Sequence, residues 1–238
     1  MIEREYKIQS YDVYPSYEIK PSAMMRYMQQ CAREDCDEQG LSYDFLRSMN
    51  AVFVIAKSGL EFYRPIKVDE IMTVRTFNND VDGVLFDREF EFFVGGDRVA
   101  HASTFWVLIK FDKRTIVRPK DLPVEFKSLH LDCKKVEVPR AFLCEDLTEK
   151  SRRTVRVSDL DQNNHLNNCV YADIALDNLD FDGTGKSVKS VKTIFRREAR
   201  LKDVLKVSVG GERNKAVVTA ENVTDGKRCF EAEIEFFD

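Results

Sequence analysis

Two stretches of this chain each occur twice, in diverged form. Phe62-Tyr-Arg-Pro-Ile-Lys-Val-Asp-Glu-Ile71 lies over Phe195-Arg-Arg-Glu-Ala-Arg-Leu-Lys-Asp-Val204, and Gly96-Asp-Arg-Val-Ala-His-Ala102 lies over Gly226-Lys-Arg-Cys-Phe-Glu-Ala232. Two copies of one structural unit are the economical reading, so whatever one half folds into, the other must fold into as well.

Hydrophobic patterning says what the unit is. In the first half, Glu3 to Val13 alternates as a strand does and is broken at Pro15-Ser16. Pro21 stands where a first helical residue would, and Ala23 to Gln39 carries Met24, Tyr27, Met28, Cys31 and Ala32 on one stripe before Gly40. Leu41 to Met49 reads as a short helical turn or loop. Strands are expected over Val52–Tyr63, Ile71–Asn78, Leu85–Val94 and Arg98–Phe111, with turns at Arg64-Pro65, Asp82-Gly83 and Gly95-Gly96. The second half repeats this order: a strand over Thr154–Val157, a helix over Asn167–Asn178, then strands over Ser187–Arg197, Val204–Val209, Ala216–Val223 and Cys229–Phe237. Hairpins joined by short turns make an antiparallel sheet, and a helix ahead of such a run packs on one sheet face, an α+β order. Between Asp112 and Glu149 the period dissolves around Pro119, Pro123 and Pro139, which reads as a connector. The expected division is 1–111, 112–149 and 150–238.

One segment stands out for chemistry. Ser158-Asp-Leu-Asp-Gln-Asn-Asn-His-Leu-Asn-Asn168 holds two carboxylates, four Asn and one of the chain's 3 His just ahead of a helix. If the segment is extended, Asp161, Asn163 and His165 fall on alternate residues and share one face, where a carboxylate, an amide and an imidazole can orient and deprotonate a water. The competing reading is an Asx-rich turn with a helix cap, because Asn and Asp favour both through local backbone hydrogen bonds. At the corresponding place the first copy offers Tyr, Pro, Ser, Tyr and Glu over Tyr14 to Glu18, and Pro65 stands where the second copy has Glu198. The copies therefore differ where chemistry would be.

Composition narrows the rest. With 238 residues, 43% hydrophobic and 33% charged, the chain has ample material for one large or two small globular units. Apolar runs such as Ala51–Ala56 and Phe105–Ile109 are far too short to span a bilayer, and no secretory leader follows Met1, so a cytoplasmic address is expected. The 6 Cys lack CxxC spacing and the pairing with His that zinc needs, so reduced thiols and no metal are expected. A net charge of -4 argues against nucleic-acid binding, although Gly183 to Lys206 holds a basic run suited to an acidic partner. Gly185-Lys186-Ser187 lacks the first Gly of a phosphate loop, and no Gly-x-Ser-x-Gly elbow is present.

Leu160-Asp-Gln-Asn-Asn-His-Leu-Asn-Asn-Cys-Val-Tyr171, the helix opening near Pro21-Ser-Ala-Met-Met25, Phe62-Tyr-Arg-Pro65, Ser103-Thr-Phe-Trp-Val-Leu-Ile109 and Phe195-Arg-Arg-Glu198 together resemble the acyl-ACP thioesterases of plants and bacteria, over nearly the whole chain. The resemblance implies a tandem (double) hotdog fold, two long antiparallel sheets each wrapped around a helix. It implies hydrolysis of the thioester of fatty acyl-acyl carrier protein, without a cofactor, by Asp161, Asn163, His165 and Glu198. The family often has Cys directly after that Glu; here the residue is Ala199, which removes thiol attack from the site and leaves water or the Asp161 carboxylate as nucleophile. Which carboxylate is the base stays open. Free N–H groups near Asn167 and Asn168 at the helix start suit the developing oxyanion. Met24, Met28 and Phe53 are candidates for the floor of an acyl pocket, or ordinary core. Lys186, Lys189, Lys192, Arg196, Arg197 and Arg200 are candidates to dock the acidic carrier, or a solvated face. Two alternatives remain: hydrolysis of acyl-CoA, and a non-catalytic acyl sensor. A monomer and a homodimer are equally compatible with two copies in one chain.

Overall fold

The computed structural model describes residues 1–122, 126–131, 133, 135–212 and 214–238. Its framework is a ten-stranded antiparallel sheet whose strand order mirrors itself about the middle. The first copy supplies β1 (Ile2–Lys7), β2 (Ala51–Phe62), β3 (Ile71–Asp82), β4 (Leu85–Val94) and β5 (Asp97–Lys110). The second supplies β6 (Thr148–Thr154), β7 (Val188–Phe195), β8 (Val204–Glu212), β9 (Lys215–Asn222) and β10 (Arg228–Phe236). The order β1-β3-β4-β5-β2-β7-β10-β9-β8-β6 places β2 against β7 at the seam. There Lys57 faces Ile194, Gly59 faces Lys192 and Glu61 faces Ser190.

Each half-sheet curves around its own helix. Helix α1 (Pro21–Glu38) opens with Pro at its first turn and ends before Gly40, whose φ of 77° no ordinary side chain favours. It buries Met24, Met25, Met28, Cys31 and Ala32 against the sheet, the stripe expected from the 3.6-residue period. Helix α3 (Asn168–Asp177) buries Cys169, Tyr171, Ala172, Ile174, Ala175 and Leu176, and Tyr171 stacks on Phe230 at 4.8 Å. Both helices share one continuous core, and Arg26 of α1 meets Asp173 of α3 at 3.5 Å. This is the tandem hotdog arrangement that the resemblance implies. Between them a short helix, α2 (Tyr43–Ser48), is capped by Ser42, whose Oγ accepts from Phe45 N at 3.2 Å. No helix among the described residues is long and apolar enough to cross a membrane.

Several boundaries differ from the sequence reading, among them β3, which runs on to Asp82, and β8, which runs on to Glu212. The first strand ends at Lys7, and a single 3-10 turn over Ser10–Asp12 follows it. The strand expected over Thr154–Val157 lies earlier, over Thr148–Thr154, and starts at the end of what read as connector, because its burial alternates too weakly to stand out from the charged run. Of the rest of that span, Val117, Leu122 and Phe126 pack beside α2, Pro123 falls outside the described residues, and the part around Val136 and Phe142 crosses the sheet face opposite α1 and α3. Val136 and Phe142 are buried there, Val136 N donates to Ser103 Oγ at 2.8 Å, and Phe142 N donates to Glu231 Oε2 at 3.1 Å.

Glycine at the seam permits this crossing. A Cβ on Gly59 would sit 2.5 Å from Val136 Cγ1, and a valine side chain cannot rotate far to avoid it. Gly59→Ala is therefore expected to destabilise the fold by roughly 1–3 kcal/mol, the usual cost of overpacking, and Gly59→Ala with Val136→Ala to recover part of it. Urea unfolding of the three proteins would show this; equal midpoints would refute it.

Candidate active site

The segment from Leu160 to Leu166 is a closed turn, which corrects the extended conformation from which a shared face was expected. Leu160 and Leu166 form an antiparallel bridge, Asp161 N donates to His165 O at 2.8 Å, and Asn164 N donates to Asp161 O at 3.0 Å. Asn164 takes φ 63°, a left-handed conformation that Asn tolerates better than most side chains. Inside the turn Asp161 Oδ1 accepts from Asn163 N at 2.8 Å and from His165 N at 3.1 Å. The Asx-turn reading is thus structurally true, and it is the device that draws Asp161, Asn163 and His165 together. Both bonds fall on Oδ1, so Oδ2 is not used by the turn. Asn167 is the N-cap of α3, one residue ahead of the helix rather than its first residue: its Oδ1 accepts from Cys169 N at 2.9 Å, and its own N–H goes to Asp159 O at 2.9 Å. Of the donors at this helix start, the Asn168 N–H is the one the cap does not use.

The turn leans on the strand exit that follows β7. Leu166 N donates to Ala199 O at 2.8 Å, which brings His165 opposite Arg200. His165 Nε2 then lies 3.1 Å from Glu198 Oε2. Two groups from the first copy complete the arrangement. Tyr43, the first residue of α2, donates its hydroxyl to Asn163 Oδ1 at 2.8 Å. Arg114, in the turn after β5, is ion-paired with Glu198 Oε1. Burial lowers the pKa of His165 below its ordinary value; Asp161 opposes this, and Arg114 and Arg200 reinforce it. The neutral imidazole is thereby favoured. Cys169, beside the site, is no substitute nucleophile: its thiol is buried and desolvation pushes it up to about 12.

The first copy builds the same backbone with different side chains. Val13 bridges Ile19, Tyr14 N donates to Glu18 O at 2.8 Å, Ile19 N donates to Ile66 O at 2.8 Å, and Tyr17 takes φ 64°. Tyr14, Ser16 and Glu18 replace Asp161, Asn163 and His165. The Glu18 carboxylate is held by Lys67 and Ser187, each at 2.9 Å, and Tyr14 meets Phe181 edge-on at 5.0 Å. Only about 10 Å³ stays open among Tyr14, Glu18, Pro65 and Phe181. The duplicated position is plugged.

The remaining candidates separate. Met24 and Met28 lie in the core shared by both helices, whereas Phe53 belongs to a second apolar cluster with Leu46, Phe86 and Leu108 next to α2. Asn167 is committed to its cap. Among the basic residues, Lys192 meets Glu233 at 3.8 Å and Arg196 donates to Glu231 at 2.8 Å, so two of them already have acidic partners. Lys186 lies over the Phe236 ring at 5.3 Å. Lys189, Arg197 and Arg200 are exposed, and of these Arg200 flanks the site. Tyr43 and Arg114 were not foreseen. Neither sits in a polar motif, and each reaches the site only through the pairing of the two copies.

The chain matches the acyl-ACP thioesterase N-terminal domain over residues 1–125 and the acyl-ACP thioesterase C-terminal domain over residues 145–238. No curated protein sequence matches it. Solved structures share the fold at low identity. An acyl-ACP thioesterase from Bacteroides thetaiotaomicron superposes with a TM-score of 0.86 at 17% identity, covering 99% of this chain and 97% of that one. The 12:0-ACP thioesterase from Umbellularia californica superposes with 0.80 at 18% identity, covering 99% and 96%. A putative oleoyl thioesterase from Lactobacillus plantarum gives 0.81 at 18%, covering 98% and 94%. With both halves matched in order, this chain belongs to the acyl-ACP thioesterase family, the hydrolases of fatty acyl-ACP.

Proposed function

We propose that the chain releases free fatty acid from acyl carrier protein, ending chain elongation, through Asp161, Asn163, His165 and Glu198. The observation that carries this reading is the contact of His165 Nε2 with Glu198 Oε2 at 3.1 Å, beside a carboxylate whose second oxygen is unused by its own turn. The thioester carbonyl lies against the start of α3, where the Asn168 N–H faces the developing oxyanion. Asp161 Oδ2 and Asn163 hold the attacking water. As its oxygen bonds to the carbonyl carbon, one proton passes to neutral His165, and the imidazolium is stabilised by Glu198. When the carbon–sulfur bond breaks, His165 returns the proton to the thiolate, leaving acid and thiol. One Glu198 oxygen is engaged by Arg114 and the other faces His165, a geometry that suits the counter-ion role.

The acyl chain runs beneath α2 toward Leu46, Phe53 and Phe86, the cluster on the helix that also carries Tyr43. Arg197 and Arg200 are the basic residues disposed to meet the acidic carrier. Residues 1–111 cover and receive the acyl group, 112–149 connect the copies and bring Arg114 to the site, and 150–238 carry the reactive groups. Both copies contribute to one site, so a single chain suffices.

Asp161→Ala and His165→Ala are each expected to lower kcat on acyl-ACP by on the order of a hundredfold to ten-thousandfold while remaining folded. Retained hydrolysis in both would sink the site assignment. Equal turnover on acyl-CoA would favour that substrate, and binding without hydrolysis by the wild type would favour a sensor. Because His165 must be neutral to accept the proton, kcat/KM is expected to be full above pH 6.5 and to fall as the pH drops through a lower pKa. An acid limb at or above the ordinary histidine value would contradict this. In a chain-length panel, Phe53→Ala is expected to move the optimum to longer acyl groups, each added methylene contributing about 0.8 kcal/mol, whereas Met28→Ala lowers stability without moving it.

A further inference from the structure

The covering elements of the first copy do more than close the site. The turn after β5 is tied to α2 at several points. Phe111 N donates to Asn50 O at 2.8 Å, Asn50 Nδ2 donates to Asp112 Oδ1 at 2.7 Å, and the Arg47 guanidinium lies 3.1 Å from the centre of the Phe111 ring. Arg114 itself takes φ 55° and donates its N–H to Lys110 O at 2.9 Å, which directs its side chain across the gap between the copies. Tyr43 and Arg114 thus belong to one braced cover, with Tyr43 bonded to Asn163 and Arg114 paired with Glu198. In the plugged first-copy position no carboxylate stands at Pro65, and the basic Lys67 goes to Glu18 instead. An arginine on the carboxylate is a feature of the reactive copy alone.

We propose that Arg114 is a positioning residue for the hydrolysis, fixing Glu198 as the counter-ion of His165. This rests on the site described above. One Glu198 oxygen holds Arg114, and the other is thereby aimed at Nε2 of His165. Without Arg114 the carboxylate is free to rotate away, or to compete for the proton of the attacking water. The charged groups bearing on His165 are Asp161 from its own turn, Glu198 and Arg200 from the strand exit, and Arg114 from the first copy. Removing Arg114 takes a positive charge from the imidazole and unmasks a negative one, and both effects raise its proton affinity.

The test compares Arg114→Ala and Arg114→Lys with the wild type on acyl-ACP, across pH. For Arg114→Ala, kcat is expected to fall about tenfold to a hundredfold even at alkaline pH, the range of one charge-assisted contact, with KM nearly unchanged and the acid limb moved to higher pH. Arg114→Lys should recover part of kcat and return the limb toward its original position. In a Glu198→Gln background, Arg114→Ala should cost little more. Arg114 is 34% exposed, so folding should survive, and matched melting curves check this. An unchanged kcat and pH profile would overturn the proposal, as would a loss confined to KM, which would make Arg114 a carrier-docking residue. Asp161→Ala and His165→Ala are assayed alongside: activity retained by those variants would defeat the site itself, whereas their loss with a silent Arg114→Ala would defeat the positioning role alone.

Discussion

The pairing of β2 with β7 is the constraint on which the molecule depends. It joins two half-sheets into one ten-stranded sheet, and it does so about an approximate two-fold relation. The segment that follows each helix is then carried over the turn of the other copy. The segment after α1 places Tyr43 on Asn163, and the segment after α3 brings Gly183 O within 3.0 Å of Ser16 N. Each turn closes on its own copy and is covered by the other. A thioesterase site assembled in this way exists only when both halves are folded and in register, and a one-residue slip at the seam would reverse every side chain on β7.

Given identical backbones, chemistry is decided by a few side chains. Both turns close with the same hydrogen bonds and carry a left-handed residue at the same step, Tyr17 or Asn164. The first copy keeps the geometry for packing: Tyr14 abuts Phe181, and Glu18 is anchored by Lys67 and Ser187. In the second copy, Asp161 bonds the backbone of its own turn through one oxygen and leaves the other. One turn thus serves packing, while its twin presents half-buried polar groups beyond those its own closure uses.

Much of this was legible in the chain. The repeat, the helical stripe of α1 and the hairpin turns are local signals, and they located the elements and their doubling. The Asp161-Asn163-His165 trio was legible too, although for an incomplete reason: period-two spacing suggested an extended face, whereas an Asx turn draws the groups together. Tyr43 and Arg114 were not legible, because their roles arise from contacts across the seam, and a lone Tyr at a helix start or a lone Arg in a connector has no periodic or motif context. The sorting of the basic run was equally hidden. Lys192 and Arg196 look free in sequence, and only the register of β7 against β10 shows that Glu233 and Glu231 answer them.

The electrostatics of the site follow from this assembly. A histidine between Asp161 and Glu198 would ordinarily gain proton affinity and be charged near neutrality, where it cannot accept a proton from water. Its partial burial works the other way, and so do Arg114 and Arg200, which approach from opposite copies. In the proposed mechanism the carboxylates act at the step where the imidazolium forms, and burial with the two arginines favours the neutral ring before it. The cation on Glu198 stands outside the reactive turn, which leaves Asn163 and His165 in place. Among the described residues Arg114, in the turn after β5 of the first copy, is the cation ion-paired with Glu198.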